Sequence, residues 1–220
     1  MSAADLTQTI SSEAAAQQLI RSPKLPLYVQ RFQSLLRAEQ DRREQFYEQI
    51  SEQQKAEFIN GEIVIHSPAK LRHIIASKNL FALLDAFVRQ NDLGFVGHEK
   101  MLITLTRNDY EPDICYFTSA KAQAFTLDQM KFPAPDLVVE VLSPSTEDID
   151  RGIKFEDYAA HGVTEYWMVD PRQEFVEQYV LDNDQYDLLA KVRIGTVQSV
   201  VVAGFEVSVR AIFAGFPVSE

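Results

Sequence analysis

PDLVVEVLSPST, residues 135–146, sets five Leu and Val residues around one glutamate, Glu140. A short apolar run bounded by turn residues reads as a strand buried on both faces. Burying a carboxylate costs several kcal/mol unless it is paired or holds a metal. Glu140 is therefore either an edge-strand residue on a wet face, a member of a buried ion pair, or part of a functional site.

Downstream, DIDRGIKFEDYAAHG (148–162) reads as a helix with Phe155, Tyr158 and Ala159 on one side and Gly162 as its stop, and EYWMVD (165–170) as another strand. Upstream lie the strand candidates FVGH (95–98), MLITLT (101–106) and PDICYF (112–117), then a loop from Thr118 to Pro135. Asn60-Gly61, inside EFINGEIVIH (57–66), signals a tight hairpin, because a primed turn needs positive φ at both central residues. SPAKLRHIIASKNLFALLDAFVRQ (67–90) reads as a helix capped by Ser67, with Pro68 in its first turn and Leu71, Ile74, Ile75, Leu84, Phe87 and Val88 on the buried face. Residues 1–56 read as helical and peripheral, with Val29, Phe32, Leu35 and Leu36 at helical spacing and a solvated charge-rich middle. Residues 175–213 read as a strand-rich meander. This order predicts an α/β (α+β) architecture: a mixed β-sheet flanked by helices, with an N-terminal helical extension over 1–54 and the main domain over 55–220.

Composition narrows the function. One cysteine, Cys115, excludes an internal disulfide and makes a zinc site from His66, His98 and His161 improbable on spacing. No apolar run reaches the roughly 20 residues of a membrane span, and the first residues lack a signal-peptide layout, so a cytoplasmic protein with no membrane partner is expected. The net charge of −11 weighs against nucleic-acid binding. Residues 136–187 alone hold 14 acids against Arg151, Lys154 and Arg172. Lys70, Arg72, Lys78 and Arg89 on the long helix could offset this with a basic patch. No glycine-rich phosphate loop is present, and Ser143 and Ser145 lack the surroundings of a serine nucleophile.

Three acids are candidates for chemistry: Asp113, Asp136 and Glu140. Asp136 and Glu140 share a strand face but stand roughly 13 Å apart, too far for one ion. Asp136 suits a structural role in the loop that launches the strand. Asp113, near the start of a neighbouring strand, could meet Glu140 at a common point, and two hard oxygen ligands with open positions suit Mg²⁺ or Mn²⁺.

The stretches Glu111-Pro112-Asp113, Leu137 to Thr146 and Asp150 to Pro171, with the upstream Asn60-Gly61 hairpin, resemble the Uma-type restriction endonuclease family of the PD-(D/E)xK nuclease superfamily, over about residues 55–215. The resemblance implies a restriction-endonuclease-like sheet with Asp113 and Glu140 on adjacent strands as metal ligands, Mg²⁺ or Mn²⁺ as cofactor, and DNA cleavage by metal-activated water. The superfamily's lysine sits two residues after the glutamate, where this chain has Leu142; the matching lysine is Lys154, on the following helix. Asp113, Glu140 and Lys154 are thus the expected catalytic set, with Glu62, His73 and Tyr158 as supporting candidates. A homodimer is expected, since strand edges pair readily and double-strand cleavage needs two centres. The rival expectation is a non-catalytic interaction module that keeps the nuclease fold, with Leu142 marking lost activity.

Overall fold

The computed structural model describes residues 14–50 and 54–216. The chain divides into two compact units between Ile50 and Ser51. In the first, helix α1 (Leu25–Gln49) begins with Pro26 in its first turn, where a missing N–H costs nothing. Glu39, Arg43 and Phe46, spaced four and three apart, form a buried stripe, whereas Phe32, Leu35 and Leu36 are about half exposed. The charge-rich middle of α1 is therefore partly buried, not wholly solvated as expected. Of the rest of the stretch read as helical over 1–56, residues 14–20 are helical, residues 1–13 and 51–53 lie outside the described residues, Gln54 and Lys55 are not helical, and Ala56 begins a strand.

The second unit is a mixed α+β body. β1 (Ala56–Ile59) and β2 (Glu62–Ile65) form the expected hairpin, with Asn60 at φ 50° and Gly61 at φ 83°. They join a five-stranded sheet of order β2-β1-β5-β4-β7, completed by β4 (Leu102–Thr104), β5 (Asp109–Tyr110) and β7 (Lys131–Phe132). The larger sheet has six strands in the order β11-β10-β9-β8-β6-β3. They are β3 (Gly94–His98), β6 (Ile114–Thr118), β8 (Leu137–Val141), β9 (Glu165–Asp170), β10 (Phe175–Asp182) and β11 (Gln185–Val192). Only the central β8–β9 pair of that sheet is parallel. A parallel pair needs a crossover. Here it is α4 (Glu147–Arg151) followed by α5 (Ile153–Ala160); the short α3 (Ser119–Ala122) follows β6.

The stretch read as one helix over 148–162 is broken at Gly152, whose ψ is −103°. A Cβ there would sit 2.7 Å from the Asp148 carbonyl oxygen, so the break admits only glycine without rearrangement. Gly162, at φ +73°, ends α5 as expected.

β8 is buried along its whole length, and its two faces enter different cores. Leu137, Val139 and Val141 pack with Ala76, Leu80, Leu84 and Val88 of helix α2 (Leu71–Gln90) and with Trp167. Val138 and Leu142 pack with Tyr158 and Tyr166 on the opposite face. Glu140 lies between them on this second face. Helix α2 starts at Leu71, not at the Ser67 cap, and its buried face is rotated: Leu71 and Ile74 are exposed. A two-stranded ribbon, β12 (Thr196–Gln198) with β13 (Glu206–Ser208), and α6 (Val209–Ile212) complete the first core. No helix among the described residues is long and apolar enough to cross a membrane.

Candidate active site

Antiparallel register brings the two expected carboxylates together. Ile114 pairs with Val139, and continuing that register by one residue sets Asp113 opposite Glu140. Directly opposed residues of an antiparallel pair point to the same face. Both acids line a cleft of about 760 Å³. Its walls also carry Lys55, His66, His73, Asp150 and Lys154, together with Lys70, Arg72 and Arg172.

Asp113 is held from three sides. Lys55 Nζ lies 2.9 Å from Oδ1; His73 Nε2 lies 3.1 Å from Oδ2, which also accepts the Val141 amide at 2.8 Å. Burial alone would raise the Asp113 pKa, but Lys55 and His73 outweigh it and hold the carboxyl far below its usual range. His73 is pushed the other way: burial lowers its pKa, and the Asp113 contact more than restores it, leaving the imidazolium favoured.

Glu140 accepts a hydrogen bond from Lys154 Nζ at 3.0 Å. Lys154 is 2 % exposed and serves three acids, lying 2.9 Å from Glu57 Oε1 and 3.3 Å from Asp150 Oδ1 as well. Burial opposes its charge, yet the three carboxylates keep its pKa well above the ordinary lysine value. One ammonium cannot compensate three buried anions equally. For Glu57, Lys154 and His66 overcome the burial cost and bring its pKa down to about 2. Glu140 is pushed well up by burial, reinforced by Asp150 and Asp113 and only partly offset by Lys154. Asp150 is raised by burial too.

This imbalance bears on the divalent cation that the resemblance implies. Four buried carboxylates (Glu57, Asp113, Glu140, Asp150) crowd against two lysines and His73, and burial with the neighbouring acids pushes the Glu140 pKa up. Among the described residues no cluster of three or more His, Cys, Asp or Glu is arranged to hold a metal with side chains alone. The carboxylates of Asp113 and Glu140 would supply two hard oxygen ligands, a donor type that fits Mg²⁺ or Mn²⁺.

The supporting candidates fare differently. His73 contacts Asp113 directly. Tyr158 is fully buried in the aromatic core, 5.2 Å from the Tyr110 ring and 5.7 Å from Tyr166, and its hydroxyl has no hydrogen bond. The Tyr110 ring lies against the Lys154 ammonium, 5.8 Å from Nζ to ring centroid. Glu62 is exposed on β2 and does not line the cleft. The acid from that hairpin that reaches the site is Glu57, and its sequence signal was the same as that of Glu140: a carboxylate inside an apolar strand. Lys55 and Asp150 were also missed; Asp150, on α4, stands four residues before Lys154. Of the expected basic patch, Lys70 and Arg72 reach the cleft, Lys78 is exposed outside it, and Arg89 pairs with Asp85.

The acidic segment 136–187 is largely structural. Asp136 accepts the Thr118 amide and pairs with Lys121. Glu165 accepts from Trp167 Nε1, Gln178 Nε2 and Ser199 Oγ and from the Val200 and Val201 amides. Asp170 receives the Arg172 and Gln173 amides, and Glu177 pairs with Arg151 and Lys191.

Comparison with known proteins agrees with this architecture. The Uma2 family, described as "Putative restriction endonuclease", matches residues 43–210. Two Synechocystis proteins, sll1609 and slr1290, both described as uncharacterized, are 33% and 29% identical over 142 and 135 residues. The matches cover 63% and 60% of this chain and 78% and 70% of theirs. A crystal structure from Anabaena variabilis, titled as "a putative nuclease belonging to DUF820", superposes with a TM-score of 0.66 at 17% identity, over 76% of this chain and 94% of that one. The fold is therefore that of a restriction-endonuclease-like nuclease, and the chain belongs to the Uma2 family.

Proposed function

We propose that the protein is a divalent-metal-dependent DNA endonuclease, with Asp113 and Glu140 as metal ligands and Lys154 as the catalytic lysine. The observation that carries this reading is the convergence of Asp113 and Glu140 on one face, with Lys154 Nζ 3.0 Å from Glu140. Leu142 occupies the superfamily's usual lysine position, and α5 brings an ammonium to Glu140 instead. When bound, Mg²⁺ or Mn²⁺ would neutralise charge on the scissile phosphate and lower the pKa of the attacking water.

The chain's own residues supply the rest. Lys154 fixes the orientation of Glu140 and adds positive charge where negative charge builds in the transition state. Lys55 and His73 hold Asp113 ionised and in place. Lys70, Arg72 and Arg172, on the cleft wall, would take the flanking phosphates of the strand. This local basic lining answers the objection raised by a net charge of −11, because much of the acid in 136–187 is committed to internal bonds. A homodimer, with one centre for each strand, and a cytoplasmic location belong to the same proposal.

Supercoiled-plasmid nicking in Mn²⁺ or Mg²⁺ tests it. The wild type nicks; Asp113→Asn, Glu140→Gln and Lys154→Met do not. Equal nicking by all four proteins would mean a contaminant, and no nicking by the wild type at any metal concentration would leave the non-catalytic module standing.

A further inference from the structure

The catalytic lysine has a second anchor that the proposed reaction does not use. Glu57 is 0% exposed in the middle of β1, flanked by Ala56, Phe58 and Ile59, all buried. An apolar β-branched residue would serve the strand better, since an unneeded buried carboxylate costs stability. Its Oε1 lies 2.9 Å from Lys154 Nζ and accepts the Glu111 amide at 2.8 Å. Its Oε2 lies 2.9 Å from His66 Nε2.

Lys154 hangs on a long, flexible stem from a helix that starts only at Ile153, after the break at Gly152. The preceding helix, α4, offers Asp150 at 3.3 Å, whose Oδ1 has no hydrogen bond. The closer contacts come from two strands of different sheets: Glu140 on β8 and Glu57 on β1. Pinned between them, the ammonium has a defined position and a defined side from which it can meet a phosphate.

We propose that Glu57 is the positioning residue for Lys154, holding its ammonium against Glu140, with His66 steadying the far oxygen of Glu57. The proposal rests on the nuclease reading for its catalytic consequence and on the geometry alone for the contact. Removing the Glu57 charge while keeping its shape frees the ammonium to shift. A shift of about 1 Å in a catalytic group costs about 100-fold in rate.

The experiment has two arms on the full chain. In the first, kcat and KM for DNA cleavage in Mn²⁺ are measured for wild type, Glu57→Gln and, as a control on the exposed side of α5, Glu156→Gln. The expected result is a kcat lowered about 100-fold in Glu57→Gln with KM unchanged, and wild-type values for Glu156→Gln. In the second arm the ammonium ¹⁵N resonance of Lys154, assigned by its loss in Lys154→Met, is followed without metal or DNA. It moves in Glu57→Gln and stays put in Glu156→Gln. Cleavage by Glu57→Gln within threefold of wild type overturns the proposal, as does an unmoved Lys154 resonance. If the wild type does not cleave at all, the nuclease reading has failed, and the resonance alone decides the role of Glu57. Should Glu57→Gln not fold, Glu57→Asp takes its place: it keeps the charge but withdraws it by one methylene, and the same losses are expected.

Discussion

Replacing Lys154 by methionine keeps most of the apolar stem and deletes the ammonium that lies 2.9, 3.0 and 3.3 Å from Glu57, Glu140 and Asp150. All four residues are at most 2 % exposed, so solvent cannot substitute for the lost charge. Breaking a buried ion pair by removing one partner costs about 3–5 kcal/mol. For a domain of this size about 1 kcal/mol corresponds to about 2–4 °C, so Tm should fall by about 6–20 °C at pH 8. The pH dependence has a definite sign. Without Lys154, burial raises the carboxyls of Glu57, Glu140 and Asp150 together, Glu57 losing the contact that helps hold it at about 2. A carboxyl raised in the folded state takes up a proton as pH falls, so the deficit is largest at pH 8 and shrinks toward the ordinary carboxylate range. Thermal melts in chelator at pH 8 and pH 5 read this directly. With Mn²⁺ added, the variant gains at least as much Tm as the wild type, because a competing cation has gone, while its nicking is lost. A Tm change under about 2 °C at pH 8, or a deficit that grows on acidification, would refute the picture of one ammonium balancing three buried acids.

Other outcomes follow from the same geometry. Glu140→Gln in chelator should be more stable than the wild type at pH 8, since burial disfavours the Glu140 charge, with the difference shrinking as pH falls toward the ordinary carboxylate range. Saturating Mn²⁺ should reverse that order, adding about 3 kcal/mol to the wild type at 100 times Kd and nothing to the variant; calorimetry checks both. Gly152→Ala places a Cβ 2.7 Å from the Asp148 carbonyl oxygen and should cost about 1–3 kcal/mol in chemical denaturation. Arg72→Ala should weaken DNA binding alike for all sequences and lower the slope of log K against log salt by about 1.

The parts of the fold set by local chemistry were legible in the sequence. The Asn60-Gly61 turn, the helical stretch after Pro68, the stop at Gly162 and the buried character of β8 all rest on interactions a few residues long. Glu140 stood out because a carboxylate inside Leu137–Leu142 has no local partner. What could not be read was register. That Asp113 lies opposite Glu140 depends on how β6 pairs with β8, a non-local choice; spacing allowed the two to meet, and the family resemblance put them on adjacent strands. Glu57 escaped notice because β1 is only four residues long and nothing local shows that it is covered on both faces. The rotated face of α2 has a similar cause. Leu71 and Ile74 fit a buried stripe by spacing, but the helix begins at the lip of the cleft, where those residues stay exposed and Arg72 and His73 face the site.

The central claim is that Asp113 and Glu140 share one divalent cation. Anomalous diffraction at the manganese edge, from crystals grown with Mn²⁺, tests it most directly. A single strong peak within coordination distance of one oxygen of each carboxylate, absent from Glu140→Gln crystals, is the predicted result. A peak elsewhere, or none beside these two residues at saturating Mn²⁺, would contradict it.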